Sequence, residues 1–123
     1  MKALTKNETP NIYPFPRSEI RTIAYQLESD SPYQNNTTKP YEISIPGTKA
    51  ISINFDLIDI ENGYDYLQIE SKSGAILKKI TGHVSSGQTE FFDQNEIVLR
   101  IVSDNTETRQ GFEIIEVKTL PVN

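Results

Sequence analysis

The segment AISINFDL, residues 50–57, decides the fold class because its apolar and polar residues alternate strictly. Successive side chains of a β-strand point to opposite sides of the sheet, so a period of two is typical of a strand with one buried face. Four apolar side chains share one face and three polar side chains share the other: Ile51, Ile53, Phe55 and Leu57 against Ser52, Asn54 and Asp56.

The same pattern continues along the chain. Six further segments alternate or form short apolar runs: TIAYQLE, YEISI, YDYLQIE, AILKKI, EIVLRIV and FEIIEV. Several are separated by stretches rich in turn-forming residues: SKSG, GHVSSGQ and SDNTETRQG. In all we predict about eight strands and no helix, with turns at the spacing of an all-β domain. This organisation predicts an antiparallel two-sheet β-sandwich or jelly roll.

The size and composition of the chain indicate one such domain. It has 123 residues, 36% of them hydrophobic, which is enough for a core of its own. Residues 1–20 contain Pro10, Pro14 and Pro16 among polar residues, and we interpret them as a Pro-rich N-terminal arm or linker. The sandwich domain is predicted to span residues 21–120.

Charge and cysteine content exclude several classes of function. The net charge is -5 and the twelve Lys and Arg residues form no basic run, which argues against nucleic acid as a partner. Because there is no cysteine, disulfides, thiolate zinc sites and cysteine nucleophiles are excluded. No apolar run approaches the length of a membrane span, and MKALTKNETP lacks the apolar segment of a signal peptide. If the protein is exported, we therefore expect this chain to be part of a longer one.

The segment ENGYDYL, residues 61–67, carries the most informative polar residues. Glu61 and Asp65 flank an Asn-Gly pair, and Asn-Gly readily adopts the positive φ of a tight turn. The turn brings two like charges close together. Either water screens both carboxylates, as in an ordinary solvated turn, or a cation lies between them.

Several segments, taken in order, resemble those of the CUB domain family, particularly its cysteine-free bacterial members appended to secreted proteases and other extracellular proteins. The resemblance runs from about residue 25 to 118, with Tyr41 near the place where many members have Trp. It is carried by SPYQNN (31–36), YEISIPG (41–47), the FDL that ends a strand, ENGYDYL (61–67), VSD (102–104) and GFEI (111–114).

The resemblance implies a jelly-roll sandwich and a calcium ion held between loops at one end. The positions that match the family's metal ligands are Glu61, Asp65 and Asp104. The spacing between the Glu and the first Asp is shorter here than in animal members, so Asp59 is a rival for the position given to Glu61. The backbone carbonyl of Asn105 is a further candidate ligand.

The available donor atoms favour the same ion. Calcium takes six to eight oxygen ligands from carboxylates, carbonyls and water. His83 is the only imidazole and no thiol exists, so zinc and copper would lack their preferred ligands. Asp104 also has an ordinary structural interpretation, in which its side chain caps the turn at Asn105 and Thr106.

Catalysis finds little support in the sequence. Ser85 and Ser86 follow His83, but no oriented nucleophile or oxyanion hole is indicated. The acidic residues do not indicate a glycosidase, because a small sandwich offers no deep cleft for a sugar chain. We therefore predict that the domain is not an enzyme.

The favoured function is a calcium-binding accessory module of a secreted or cell-surface protein. The resemblance implies that the acidic loop accepts a Lys or Arg of a protein partner, or of the parent protein's own catalytic domain, with Tyr64 as a flanking contact. Two alternatives stay open. One is a structural or adhesive fibre protomer that docks through IYPF; the other is a carbohydrate-binding module that uses Tyr33, Tyr64 and Tyr66. Packing is the simpler interpretation of Tyr64 and Tyr66, which alternate with Leu67 and Ile69.

Overall fold

The computed structural model describes residues 19–122, which form nine strands and no α-helix. Most of the predicted N-terminal arm lies outside the described residues. The strands are β1 (Arg21–Glu28), β2 (Pro40–Ser44), β3 (Thr48–Ile60), β4 (Tyr66–Ser71), β5 (Ile76–Ile80), β6 (Gly82–Val84), β7 (Gly87–Gln88), β8 (Glu96–Val102) and β9 (Gly111–Pro121).

The strands form two antiparallel sheets, so the predicted all-β sandwich is confirmed. In the five-stranded sheet the order is β1-β9-β3-β6, with β7 also paired to β3, and in the four-stranded sheet it is β2-β8-β4-β5. The segment GHVSSGQ, interpreted above as a connection, contains β6 and β7. Both pair with the long β3, one near each end of its second half. With only three and two residues, and a glycine in each, they are too short to show an alternating pattern, and for that reason the sequence did not reveal them.

Aliphatic side chains from the inner faces of the two sheets form the core. Ile51 and Ile53 of β3 are completely buried, as are Leu67 and Ile69 of β4. Burying an Ile or Leu side chain is worth about 1.5–3 kcal/mol, so these rows of residues supply most of the force that holds the sheets together. Phe112 of β9 lies among them.

An irregularity in β3 changes which residues face the core. The register of β3 against β9 shifts between Phe55 and Leu57. Leu57, which strict alternation placed inside, is therefore only half-buried, and the inward positions pass to Ile58 and Ile60. This shift is a β-bulge, which re-aims the side chains beyond it.

The ends of strands from both sheets meet at one end of the sandwich. Asp59 pairs with Gly111, Glu28 pairs with Glu113, and Tyr66 pairs with Val102. These pairings place the loops 29–39, 61–65 and 103–110 at the same end. The acidic residues predicted from the sequence lie on two of these loops.

Candidate metal centre

The turn 61–65 connects the two sheets and places two carboxylates. The Asp65 N–H donates to the Glu61 carbonyl oxygen at 3.1 Å, and the Tyr64 N–H approaches the same oxygen at 3.4 Å. Gly63 has a φ of 83°, which glycine adopts without the steric penalty of a Cβ atom. The chain thus reverses between Glu61 and Asp65, as the Asn-Gly pair predicted.

Asp65 is completely buried and both of its carboxylate oxygens are hydrogen-bonded. The Tyr33 hydroxyl donates to Oδ2 at 2.7 Å, and the Asp104 N–H donates to Oδ1 at 3.0 Å. A buried carboxylate is tolerated when its oxygens accept such bonds. Asp65 therefore joins three loops that are far apart in sequence.

Asp104 is held in place through its backbone as well as its side chain. Its carbonyl oxygen accepts a hydrogen bond from the Asn36 N–H at 2.8 Å. Its Oδ1 accepts one from the Thr106 N–H at 3.1 Å, which is the turn-capping bond considered above. The second carboxylate oxygen is not used by that cap. Capping and metal binding by Asp104 are thus compatible.

Tyr33 is the residue that links the two sides of the site. Its hydroxyl donates to Asp65 and also accepts the Glu61 N–H at 3.0 Å. The side chain is buried and its pKa is raised well above the usual value, chiefly by burial and also by the nearby carboxylates. It stays neutral and keeps its proton for Asp65. Buried in this way, Tyr33 cannot stack on a sugar, so its assignment to a carbohydrate-binding face was wrong.

The structure brings Glu61, Asp65 and Asp104 together. One carboxylate oxygen of each lies within 4.8 Å of the others. Oxygens on opposite sides of a calcium ion are separated by about 5.2 Å, twice the Ca–O distance, so the three groups fit around one such ion.

Burial and neighbouring negative charges make the ionised carboxylate of Glu61 unfavourable unless a cation lies near it. Its Oε1 is buried and has no hydrogen-bond partner in the described part of the chain. Burial of this carboxyl raises its pKa, the negative charges of Asp104, Asp65 and Glu107 raise it further, and Arg109 partly opposes them. A hard divalent cation would coordinate the buried oxygen and neutralise two of the three negative charges.

A family model for the CUB domain matches residues 18–115, most of the chain. The chain belongs to the CUB family. CUB domains are generally non-catalytic binding modules of extracellular or secreted proteins, and they often bind calcium. No curated protein matches the chain. Across residues 19–122 there is no helix long and apolar enough to cross a membrane.

Asp59, the rival to Glu61, has other partners in this CUB domain. Its Oδ1 lies 3.6 Å from His83 Nδ1, and its Oδ2 accepts the Gln110 N–H at 3.3 Å. It is not one of the three clustered carboxylates. The bulge in β3 accounts for this placement, because it puts Ile60 inside and leaves Asp59 on the outer side of the strand.

The two tyrosines proposed for binding occupy different surroundings. Tyr64 lies in the turn and is 69% exposed, beside the acidic cluster. Tyr66 begins β4 and is half-buried; its hydroxyl donates to the Gly63 carbonyl oxygen, and Lys79 Nζ lies 4.6 Å from its ring centre. Tyr66 is therefore held by Gly63 and Lys79, and its assignment to binding stays a prediction. The packing interpretation of Tyr64 was wrong, because its ring is largely exposed and is free to contact a partner. Asn105, the candidate carbonyl ligand, is exposed on the loop that follows Asp104.

Two supporting residues of this CUB domain were not identified from the sequence. The Ser103 hydroxyl donates to the Gln34 carbonyl oxygen at 2.6 Å and accepts the Thr37 N–H at 2.9 Å, so it ties the loop of Tyr33 to that of Asp104. Thr81 contacts the turn 61–65 from the other side. The sequence signal for the role of Ser103 was its position next to Asp104.

Proposed function

We propose that this CUB domain is a non-catalytic calcium-binding module that recognises a basic group of a protein partner. Glu61, Asp65 and Asp104 hold the ion, and the carbonyl of Asn105 and water complete its shell. The domain acts as an accessory module of a secreted or cell-surface protein.

The observation that carries the proposal is the buried, unpartnered Oε1 of Glu61 within a cluster of three carboxylates. A solvated turn, the alternative considered for the sequence, would leave these oxygens to water. Instead one is buried without a partner, and Asp65 is completely enclosed. Such an arrangement is costly without a counter-ion and is favourable with one.

Recognition of a basic group follows from charge and exposure. Carboxylates that bind calcium retain lone pairs that can accept a hydrogen bond from an ammonium or guanidinium group. Tyr64 presents an exposed ring beside them, and an aromatic face attracts a cation. Calcium would order this surface, and the partner's Lys or Arg would bind against it.

Calcium titration with thermal melting tests the metal site. Extracellular loop sites bind calcium with dissociation constants of about 10⁻⁴–10⁻³ M. At about 100 times the dissociation constant the ion stabilises the fold by ~2.7 kcal/mol, a rise in Tm of roughly 10 °C. Asp104→Asn should abolish the rise. Asp59→Asn is the matched control, because it removes a similar charge at the same end of the sandwich and should retain the rise.

Two results would contradict the metal assignment. One is a wild-type Tm that does not change when calcium is raised to about 100 mM, 100 times the weaker dissociation constant; the other is an equal loss of the response in both variants. Magnesium in a parallel titration should give the smaller response, because it requires stricter octahedral geometry and retains its water.

Peptide binding tests the partner class separately. A lysine-containing peptide should bind in calcium and dissociate in a chelator, and its acetylated form should not bind. Tyr64→Ala should weaken binding of the peptide and leave calcium affinity unchanged. If the acetylated peptide binds equally well, the basic group is not what the domain recognises, even where calcium binding holds.

A further inference from the structure

Thr81 lies between β5 and β6 and makes an unusual number of contacts with the turn 61–65. Its hydroxyl lies 3.1 Å from the Glu61 carbonyl oxygen and 2.8 Å from that of Asp65, and its single proton is shared between these two acceptors. The same oxygen accepts the Gly63 N–H at 2.9 Å. One side chain thus contacts the first, middle and last residues of the turn.

The next residue, Gly82, completes the contact surface. Its φ is 92°, and a Cβ atom there would lie 3.3 Å from Asn62 Oδ1. Such a distance is tighter than ordinary van der Waals contact, so a larger residue would push the Asn62 side chain aside. We call Thr81 and Gly82 together the turn cradle.

Within the turn cradle, Thr81 contacts the backbone of the two residues whose carboxylates flank the turn. The Glu61 carbonyl oxygen already receives the N–H groups of Tyr64 and Asp65, so with Thr81 it is fully engaged and is not available to a cation. The side chains of Glu61 and Asp65 are left as the metal-facing groups. Their separation depends on the backbone geometry that Thr81 fixes.

We propose that Thr81 is a positioning residue that sets the cation affinity of the carboxylate cluster without touching the ion. This inference rests on the proposed calcium site and adds a determinant from outside the three ligands. It resembles the action of outer-shell hydrogen bonds in other metal sites, where a partner of a ligand, itself not bound to the metal, fixes the ligand's orientation.

Calcium affinity by calorimetry, measured on Thr81→Val and Thr81→Ser, tests the proposal. Valine keeps the shape of threonine and lacks the hydroxyl, so it should weaken calcium binding roughly 10- to 100-fold, the range typical of lost outer-shell partners. Serine keeps the hydroxyl and should restore the affinity to near that of the wild type. Terbium luminescence gives a second readout: more water on the ion should shorten its lifetime in Thr81→Val.

Thr89→Val is the matched control for loss of a buried threonine hydroxyl. Thr89 accepts the Ile53 N–H at 2.9 Å, in the half of β3 remote from the turn 61–65. This variant should be destabilised but should keep the wild-type calcium affinity and terbium lifetime.

The outcomes separate the two proposals. If the wild type binds calcium and Thr81→Val binds equally well, the role of Thr81 is overturned and the calcium site stands. Equal weakening by Thr81→Val and Thr89→Val, or no rescue by serine, also overturns it. A wild type that binds no calcium overturns the site itself and, with it, the role given to Thr81.

Discussion

The two turns that flank β4 each contain a glycine with positive φ, but they are held in place by different kinds of contact. The turn 71–75 satisfies itself: the Ser71 N–H donates to the Ala75 carbonyl, the Gly74 N–H donates to the Ser71 carbonyl, and the Ser71 hydroxyl accepts the Ala75 N–H. The turn 61–65 instead relies on Tyr33, Thr81 and Asp104, which are distant in sequence.

This contrast distinguishes a turn that only connects two strands from a turn that forms a candidate binding site. Gly63 and Gly74 both have positive φ, so the local backbone chemistry of the two turns is alike. What distinguishes the turn 61–65 is that other loops bury its carboxylates and hold them in fixed positions. Because holding like charges together opposes folding, such an arrangement indicates a bound ion more strongly than acidic composition does.

The largest expected effect comes from removing the carboxylate that joins the loops. Asp65→Ala leaves the Tyr33 hydroxyl and the Asp104 N–H without their acceptor, and each unsatisfied buried group costs about 1–3 kcal/mol. We expect a loss of about 3 kcal/mol in chemical denaturation without calcium. Ser71→Ala, in the self-contained turn, should cost about 1 kcal/mol. Equal losses in the two variants would remove the distinction between the turns.

The Tyr33 hydroxyl should have the next largest effect. Tyr33→Phe breaks the bonds to Glu61 and Asp65 within the core and should cost about 1–2 kcal/mol. Tyr41→Phe is the control, because the Tyr41 hydroxyl accepts the exposed Asp30 N–H at 3.0 Å and Tyr41 is not part of the carboxylate cluster. Calcium affinity should fall in Tyr33→Phe alone. A comparable fall in Tyr41→Phe would show that the effect is not specific to the site.

Gly63→Ala and Gly74→Ala give a direct comparison of the turns. A Cβ atom meets nothing within 4 Å at either position, so the cost comes from the backbone conformation alone. Each substitution should therefore lose about 1–2 kcal/mol of stability. Calcium affinity should decrease for Gly63→Ala and stay constant for Gly74→Ala, as calorimetry can measure. A decrease in calcium affinity in both variants would mean that binding depends on the overall stability of the domain and not on the geometry of the turn 61–65.

The smallest expected effect is a pH dependence due to Glu61. Its folded pKa is raised above the model-peptide value of 4.5, so the calcium-free folded state holds this proton more tightly than the unfolded state. Stability therefore falls as pH rises from about 4.5 through the raised folded pKa. The difference in unfolding free energy between wild type and Glu61→Gln should show this fall, and saturating calcium should suppress it. If this difference in unfolding free energy does not change with pH, the pKa of Glu61 is not raised and the prediction is wrong.

Much of the fold could be predicted from the sequence because half-buried strands alternate. The exceptions have physical causes. The strands β6 and β7 have only three and two residues and lie at a sheet edge, and the bulge in β3 breaks the alternation after Phe55. Alternation is informative only where one face of a regular strand meets the core.

Less of the candidate site than of the fold could be predicted from the sequence. The Asn-Gly pair predicted the approach of Glu61 and Asp65, but Asp104 was identified through resemblance to the CUB family and not from spacing. Tyr33 was assigned to an exposed face because its burial depends on how the loop 29–39 packs across the sandwich. Contacts between loops produce no periodic pattern of apolar and polar residues, so they could not be predicted from the sequence.

The bridge that Asp65 makes to Tyr33 and Asp104 spans 32 residues in one direction and 39 in the other. We expect such long-range contacts to form late in folding, so an ion bound there would stabilise the native state and not a folding intermediate. Calcium should accordingly prolong the lifetime of the native state and leave the rate of folding almost unchanged. In an extracellular setting, the longer lifetime of the native state would protect the loops against opening and against the proteolysis that follows.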